Sequence, residues 1–352
     1  MSYKLVIVGY GGIGAWHHEN IKAHIPNIEV IGAYDIREEM LEKAKENGIK
    51  AYSSLEEVLE DKDIDIVTIA TPNNFHKDIA IKCLKSGKNV ICEKPVTMNK
   101  KELEEIIQVQ KETGKLFSIH QNRRWDKDYH IIKKILEDKT LVNPYYIETR
   151  VQGSRGPLHG WRGIKENGGG MLYDWGIHLI DQILDLFPQN KVIEIYANLF
   201  SIHCKEVDDN FKLMMKLDNN VNVLIEVATN CFITQPRWHM CCEDGTAIVE
   251  DWSCKGKIVK LNNNQELVWD DVIVYTEAGP TRTMAPRPVE TTDEINLPNV
   301  DPKWSSFYLN IIDVLDNKTE LIVKPEQCLR TMEIIDYIFE ANQKGQKVNC
   351  NI

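Results

Sequence analysis

The chain lacks a long apolar run: no stretch approaches the ~18 residues that a membrane-spanning helix requires. It also lacks a basic stretch before an apolar core at its start, since Lys4-Leu5-Val6-Ile7-Val8 runs straight into glycines, so a cytoplasmic protein is expected. Positive charge is in deficit: 42 Lys and Arg stand against 53 Asp and Glu, a net charge of −11. That balance argues against a nucleic-acid partner, which would demand a basic footprint. Nine cysteines are present, but no C-x-x-C pair. His239, Cys241 and Cys242 lie close in sequence, yet adjacent residues of a strand point to opposite faces and no second ligand pair follows at zinc-site spacing. Reduced thiols serving as small core residues are expected, and no metal is assigned. Internal repeats, low-complexity tracts and Ser/Gly/Pro-rich linkers are missing too. What remains is 352 residues of ordinary composition, enough for about two directly packed domains.

The first 120 residues alternate short apolar runs with amphipathic stretches. Lys4–Val8, Glu29–Ala33, Ile64–Ile69, Asn89–Cys92 and Leu116–Ile119 are apolar on both alternations, as strands of a parallel sheet covered on both faces should be. Between them, Arg37–Asn47, Phe75–Lys85 and Lys100–Thr113 have helical periodicity, each followed by a glycine (48, 87, 114) where a left-handed cap is needed. The alternation predicts a doubly wound α/β domain over residues 1–122. From about residue 140 strands follow one another: Tyr145–Val151, Val192–Ser201, Asn210–Leu217, Val221–Ala228 and Ala247–Asp251, interrupted by the apolar helix Met171–Phe187. This predicts a second, α+β domain over 123–352 with a large, mainly antiparallel sheet. Glu277–Lys303 holds five of the 13 prolines and no hydrophobic period, and reads as a lid or inter-subunit arm. Trp304–Leu315 and Pro325–Gln343 are predicted helices.

Gly9-Tyr10-Gly11-Gly12-Ile13-Gly14 fits G-x-G-x-x-G, a weak signal by itself. Its context strengthens it: the motif follows a strand, opens the helical stretch Ile13–His24, and precedes Asp35 by 21 residues, at the end of the next strand. Gly9 permits the tight turn, Gly11 lets backbone amides approach a pyrophosphate, and Gly14 lets helix and strand pack closely. A carboxylate at Asp35 accepts hydrogen bonds from ribose hydroxyls and repels a 2′-phosphate, so NAD is preferred. Arg37 nearby could pair with a phosphate and leaves NADP possible.

Two further clusters reach chemistry. Glu93-Lys94-Pro95 follows the strand Asn89–Cys92 at the carboxyl edge where open α/β sheets bind ligands. Gly168–Asp181 places Asp174, His178 and Asp181 at i, i+4 and i+7, one stripe of an otherwise apolar helix. Such groups are costly there unless they pair or work, and a satisfied core His–Asp pair is the bland alternative. Together with Ala70-Thr71-Pro72-Asn73-Asn74-Phe75-His76, these segments resemble the glucose–fructose oxidoreductase/inositol dehydrogenase/rhizopine-catabolism (Gfo/Idh/MocA) family over nearly the whole chain.

The resemblance implies a Rossmann domain followed by a large open sheet, and an enzyme exchanging hydride between a sugar or cyclitol and NAD or NADP. It implies that Lys94 hydrogen-bonds the reacting oxygen, that Asp174 orients substrate and Lys94, that His178 moves the hydroxyl proton, and that the Lys94–Pro95 peptide is cis. By the same resemblance Thr71, Pro72, Asn73 and His76 line the nicotinamide end. Glu93, Gln121, Trp161 and Arg162 also fall to the cofactor, and Arg123 and Tyr308 to the substrate. Gln121, Asn122, Arg123 and Arg124 resemble the family's cleft segment. Arg123 and Arg124 could meet an anionic substrate such as a sugar acid or phosphate, but pairing with Asp126, Asp128 or the cofactor pyrophosphate is the favoured reading. The first helix departs from the family in Trp16-His17-His18. With an intrinsic pKa near ~6.5, His178 would give a pH–rate limb near neutrality. An enzyme that retains its NAD and oxidises a glycoside transiently is an alternative. So is a silent sugar or dinucleotide sensor, which should lack Lys94, Asp174 and His178. Finally, the alternating Val221, Val223, Ile225 and Val227 suggest an apolar sheet face available for a homodimer or homotetramer.

Overall fold

The computed structural model describes residues 2–262, 272–283 and 287–352. The first unit runs β1 (Tyr3–Val8), α1 (Gly12–His24), β2 (Ile28–Tyr34), α2 (Glu38–Glu46), β3 (Lys50–Ala51), α3 (Leu55–Glu60), β4 (Ile66–Ile69), α4 (His76–Lys85), β5 (Asn89–Cys92), α5 (Lys100–Thr113) and β6 (Phe117–Ile119). Its six strands pair in the order β3-β2-β1-β4-β5-β6, all parallel. Leu5, Val6, Ile7 and Val8 are all fully buried, which is why β1 is apolar on both alternations. The order reverses between β1 and β4, so a crevice opens at the carboxyl ends of those strands. Helices start and stop where local chemistry dictates. The Asn99 side chain accepts the Glu102 N–H to open α5, and Gly114 closes it in the left-handed region.

The chain continues through α6 (Lys127–Glu137), β7 (Pro144–Gln152), a π-helical turn over Leu172–Gly176, α7 (Ile177–Leu186), β8 (Val192–Phe200), β9 (Asn210–Leu217), β10 (Asn222–Ala228), β11 (Trp238–Cys242), β12 (Gly245–Val249), β13 (Gly256–Leu261), β14 (Ile273–Thr276), β15 (Gly279–Arg282), β16 (Thr292–Asn296), α8 (Ser305–Leu315), α9 (Pro325–Lys344) and β17 (Val348–Asn349). Nine of these strands form one sheet in the order β16-β13-β12-β11-β7-β10-β9-β8-β17, antiparallel except where β7 meets β10. The 20-residue helix α9 packs against β8, α5 and α7 and so binds the two sheets into one body. Among the described residues no helix is long and apolar enough to cross a membrane.

Two expectations need correction. The Val221–Val227 alternation faces inward: Val221, Val223, Ile225 and Val227 are all essentially buried. The opposite face of the sheet is mixed. It carries exposed Tyr196 and Met214 beside ion pairs linking Arg150 with Glu148 and Glu226, and Lys212 with Glu226. The stretch Glu277–Lys303 is also more than a loose loop, since it supplies β15 and β16, of which β16 is an edge strand of the large sheet paired to β13. Its Thr-Asp-Glu-Ile-Asn sequence has no apolar period because edge strands carry charge to resist further pairing. Met284–Pro286 of that stretch lie outside the described residues.

Candidate active site

The glycine turn joins β1 to α1 and is shaped by contacts no side chain could share. Gly9 has φ +95°, and a Cβ there would stand 2.6 Å from the Ala70 carbonyl carbon. A Cβ at Gly14 would overlap the Gly9 carbonyl oxygen, so helix and turn meet backbone to backbone. Gly12 opens onto free space, and no side-chain oxygen caps α1. The first amides of that helix, among them those of Gly12 and Ile13, therefore point outward without intrahelical acceptors, the arrangement that holds phosphate. Tyr10 contributes its backbone here. Its ring is buried, with the hydroxyl 2.7 Å from His18 Nδ1 and accepting from Asn47 at 3.0 Å.

Asp35, at the end of β2, is buried beside the turn. Its Oδ2 accepts the Tyr10 N–H at 2.9 Å and its Oδ1 accepts the Arg37 N–H at 2.9 Å. The Arg37 guanidinium also lies on this carboxylate, Nε to Oδ1 at 3.1 Å, with half its side chain in solvent. A Cβ on Gly11 would find Arg37 Nη2 at 3.2 Å, so that cation borders the turn as well. The cradle, the uncapped helix and the carboxylate fit an adenine dinucleotide.

After β4, Thr71 and Pro72 lead into a short turn, Asn73–Phe75. Asn73 donates to the Gly168 carbonyl at 2.8 Å and thereby joins the two units. His76 is wholly buried, its ring nitrogens 2.9 Å from the carbonyls of Thr71 and Pro95, so it ties loops together and presents no surface to a ligand. Thr71 Oγ1 and Gln121 Oε1 are buried without partners, two polar atoms left over beside the crevice.

The Lys94–Pro95 peptide is cis. Lys94 reaches from the end of β5 to the π-helical turn of the second unit, where Nζ donates to the Asp174 carbonyl at 2.9 Å and lies 3.2 Å from Asp174 Oδ1. Arg162 Nε holds the other oxygen, Oδ2, at 3.2 Å, and the Arg162 guanidinium stacks 4.6 Å from the Trp161 ring. Burial penalises the Asp174 carboxylate, but Lys94 and Arg162 outweigh it and hold the group below the usual range. The helix carrying Asp174 is anchored by Asp208, whose Oδ2 accepts the Leu172 N–H at 2.8 Å and whose carbonyl accepts the Met171 N–H at 2.9 Å. Burial raises the Asp208 pKa to about 6.

His178 is buried one turn further along, and its Nδ1 has no partner. The expected stripe of three ionisable groups does not form. The π turn adds a residue before α7 and rotates the rest of that helix about its axis. Asp181 is engaged elsewhere, in a bidentate pair with Arg124 at 2.7 and 2.8 Å. Burial, then the cations Lys94 and Arg123, push His178 well below its ordinary value, so the expected limb near neutrality moves to the acid side. Arg123 is held by Asp126 at 3.0 Å and stacks 4.3 Å from Trp175, whose ring is 5.9 Å from that of His178.

Tyr308, read from sequence as a substrate contact, is instead fully buried on α8, with its hydroxyl 2.7 Å from His17 Nδ1. His17 Nε2 lies 2.8 Å from Glu93 Oε1, and His120 Nδ1 lies 2.7 Å from the same oxygen. Sequence reasoning passed over this cluster, together with Asp208, Trp175 and Trp252, whose ring is 5.7 Å from that of Trp175. The adjacency of Trp16, His17 and His18 in the first helix was the available signal. Among the described residues, His17, Glu93 and His120 are the one set of three metal-ligand-type side chains within mutual reach, and their hydrogen bonds account for the arrangement without an ion.

In comparison with known proteins, the chain matches two family models. Residues 3–121 match a family model described as an oxidoreductase family with an NAD-binding Rossmann fold, and residues 129–248 match the GFO/IDH/MocA C-terminal domain. A solved NAD-binding protein from Listeria innocua is 42% identical, with a TM-score of 0.93 and 99% of each chain covered. A scyllo-inositol 2-dehydrogenase (NADP(+)) of Bacillus subtilis is 25% identical over 99% of this chain and 96% of its own. The WlbA dehydrogenase from Bordetella pertussis, solved with NADH and UDP-GlcNAcA, shares the fold at 19% identity and a TM-score of 0.79, with all of each chain covered. By its glycine turn, its Glu93-Lys94-Pro95 strand end and these two matched models, the chain belongs to the GFO/IDH/MocA family of oxidoreductases.

Proposed function

We propose that the protein is an NAD(H)-dependent dehydrogenase that interconverts a secondary hydroxyl and a ketone on a sugar or cyclitol. The observation that carries this reading is the ion pair of Lys94 with Asp174 at the carboxyl end of β5, with His178 about one turn further along the same helical segment, although Lys94 and Asp174 stand 80 residues apart in the chain. When bound, NAD accepts hydride at its nicotinamide. The residues of the chain handle the oxygen and its proton. Lys94 Nζ has three hydrogens, and two are directed at Asp174, leaving one for a substrate oxygen on which charge develops. Asp174, fixed between Lys94 and Arg162, keeps that ammonium aimed. His178, neutral because its pKa is lowered, has a lone pair free to take the hydroxyl proton at neutral pH. Trp175 and Arg123 beside it offer a flat apolar face and a hydrogen-bonding edge suited to a polyol ring.

The inositol dehydrogenase and sugar-nucleotide-bound relatives support this substrate class. Asp35 favours NAD, and Arg37 leaves room for NADP. We place the boundary between cofactor and substrate domains after Asn122, where β6 has ended and the short turn Asn122–Trp125 leads into α6. A panel of cyclitols, aldoses, sugar acids and glycosides with NAD, followed by NADH absorbance, tests the reading. One class should turn over, and Lys94→Ala and His178→Ala should each lower kcat by at least about a hundredfold with little change in NADH affinity. Near-normal turnover by His178→Ala on that substrate would return His178 to a packing role.

A further inference from the structure

Glu93 sits in an unusual setting for a residue at a strand end facing a cleft. It is buried, and its carboxylate is surrounded by donors: His17 Nε2 at 2.8 Å, His120 Nδ1 at 2.7 Å and the backbone N–H of Lys94 at 3.2 Å. The carboxylate can only accept, so the protons can be placed. His17 donates from Nε2, and its Nδ1 accepts the Tyr308 hydroxyl. His120 donates from Nδ1, and its Nε2 is buried with no partner. Burial works against a charge on Glu93, yet the two histidines hold it well below the usual carboxylate range. The Glu93 carboxylate thus lies directly behind Lys94, clamped from α1 by His17 and from the end of β6 by His120.

His178 needs such a charge. Gln182, one turn along α7, donates to the Arg123 carbonyl at 2.7 Å, which seats this helix over the segment just beyond His120. The cations facing His178 are Lys94 from β5 and Arg123 from the turn after β6, and both oppose an imidazolium there. On its own helix Asp174 has both oxygens engaged, by Lys94 and Arg162, and Asp181 is turned away into Arg124. Glu93 and His120 complete its surroundings, Glu93 favouring the protonated ring and His120 opposing it.

We infer that Glu93, locked between His17 and His120, is a positioning residue for proton transfer: its buried charge lets His178 accept the hydroxyl proton beside Lys94 and Arg123. The step is balanced. The substrate O–H bond breaks, its proton forms an N–H bond on His178, and the carbinol hydride goes to NAD. The inference rests on the dehydrogenase reading above for its kinetic test, and has a second test that needs no substrate.

In the kinetic test, Glu93→Gln keeps the shape and removes the charge. Without that charge the His178 imidazolium is less stable, so the acid limb of the kcat–pH profile should move to lower pH by about one unit, with a lower plateau. Glu93→Asp, which keeps the charge, should leave the limb where it is in the unmodified enzyme. A limb that stays put or rises in Glu93→Gln, or that moves equally in both variants, overturns the inference, since loss of packing alone would lower the plateau without this displacement. The second test is ¹⁵N NMR of the histidine rings in the unmodified protein at pH 7, without ligand. His120 should be the Nδ1–H tautomer and His178 neutral, and the Nε2–H form of His120 would refute the clamp. If no substrate on the panel turns over while the tautomers are as stated, the dehydrogenase assignment fails and the clamp stands.

Discussion

Cofactor choice should be separable into two residues that touch each other. Asp35 and Arg37 form one unit at the end of β2, and the carboxylate also secures the glycine turn through the Tyr10 N–H. Removing the side chain with Asp35→Ala would therefore disturb the turn as well as the ribose contact, so Asp35→Asn is the cleaner perturbation. The amide keeps one acceptor oxygen for a backbone N–H and loses the charge that binds ribose hydroxyls and repels a 2′-phosphate. A hydrogen bond to a charged group contributes about 1.5–3 kcal/mol, so NADH affinity should fall roughly ten- to a hundredfold and the gap to NADPH should narrow. Arg37 has the opposite signature. Its guanidinium borders Gly11 and is half in solvent, placed for a 2′-phosphate and unneeded by a ribose hydroxyl. Arg37→Ala should leave NADH within about threefold and weaken NADPH about tenfold, since a charge-assisted bond is what is lost. Fluorescence titration of NADH and NADPH at fixed salt measures these affinities in the unmodified protein and both variants. Tighter NADPH than NADH binding by the unmodified protein, or equal weakening of both by Arg37→Ala, would refute the reasoning.

Asp208→Asn should stabilise the protein at pH 7.5. The native carboxyl pKa of about 6 lies above its unfolded value, so folding favours the protonated form and the unmodified protein gains stability as pH falls from about 7 to about 4. The variant's advantage, up to about 3 kcal/mol at pH 7.5, should close through pH 6 and vanish near pH 4 in thermal melts, and a gap independent of pH would contradict it. Gly14→Ala should lose NADH binding and about 1–3 kcal/mol of stability from overlap with the Gly9 carbonyl, and unchanged melting would sink that account. Sedimentation at micromolar concentration should give a homodimer or homotetramer through the outer sheet face bearing Tyr196 and Met214, and a monomer would contradict it.

The Rossmann half was legible because its strands are buried on both faces and its helices carry caps. Asn89–Cys92 and Lys100–Thr113 were placed to the residue, while the two-residue β3 and the six-residue helix α3 escaped notice. The second half was harder. β11, β13 and β16 mix apolar with polar residues because one sheet face meets helices and the other carries ion pairs, and at the edge even that alternation fails. α6 is absent from the sequence reading although Tyr129, Ile132 and Ile135 fall at helical spacing, because it is a single short helix bordering a run of strand-like segments. Within the site, Lys94 and Asp174 lie in motifs and could be paired from sequence. Tyr308 was assigned to the wrong surroundings because spacing along a helix does not say which face is buried. The clamp on Glu93 draws single residues from α1, the end of β5, the end of β6 and α8, and only the fold brings those together.

The division of labour stems from which element carries each group. Lys94 stands on a strand end whose backbone is fixed by neighbours on both sides, so it is a stationary reference next to the cofactor cradle. Asp174 and His178 ride on a helix from the other unit, and the π turn that carries Asp174 is held at its start by Asp208. That turn separates their roles. Asp174 faces the cations Lys94 and Arg162 and stays ionised, while His178 is carried into a dry setting where it stays neutral. A regular α-helix would have kept His178 and Asp181 on one stripe with Asp174, placing a second carboxylate beside His178. With Asp181 turned instead onto Arg124, the charge supporting His178 comes from behind Lys94, on the sheet that also holds the cofactor. In the proposed reaction the ammonium for the oxygen and the imidazole for its proton are thus tuned by the same short strand end.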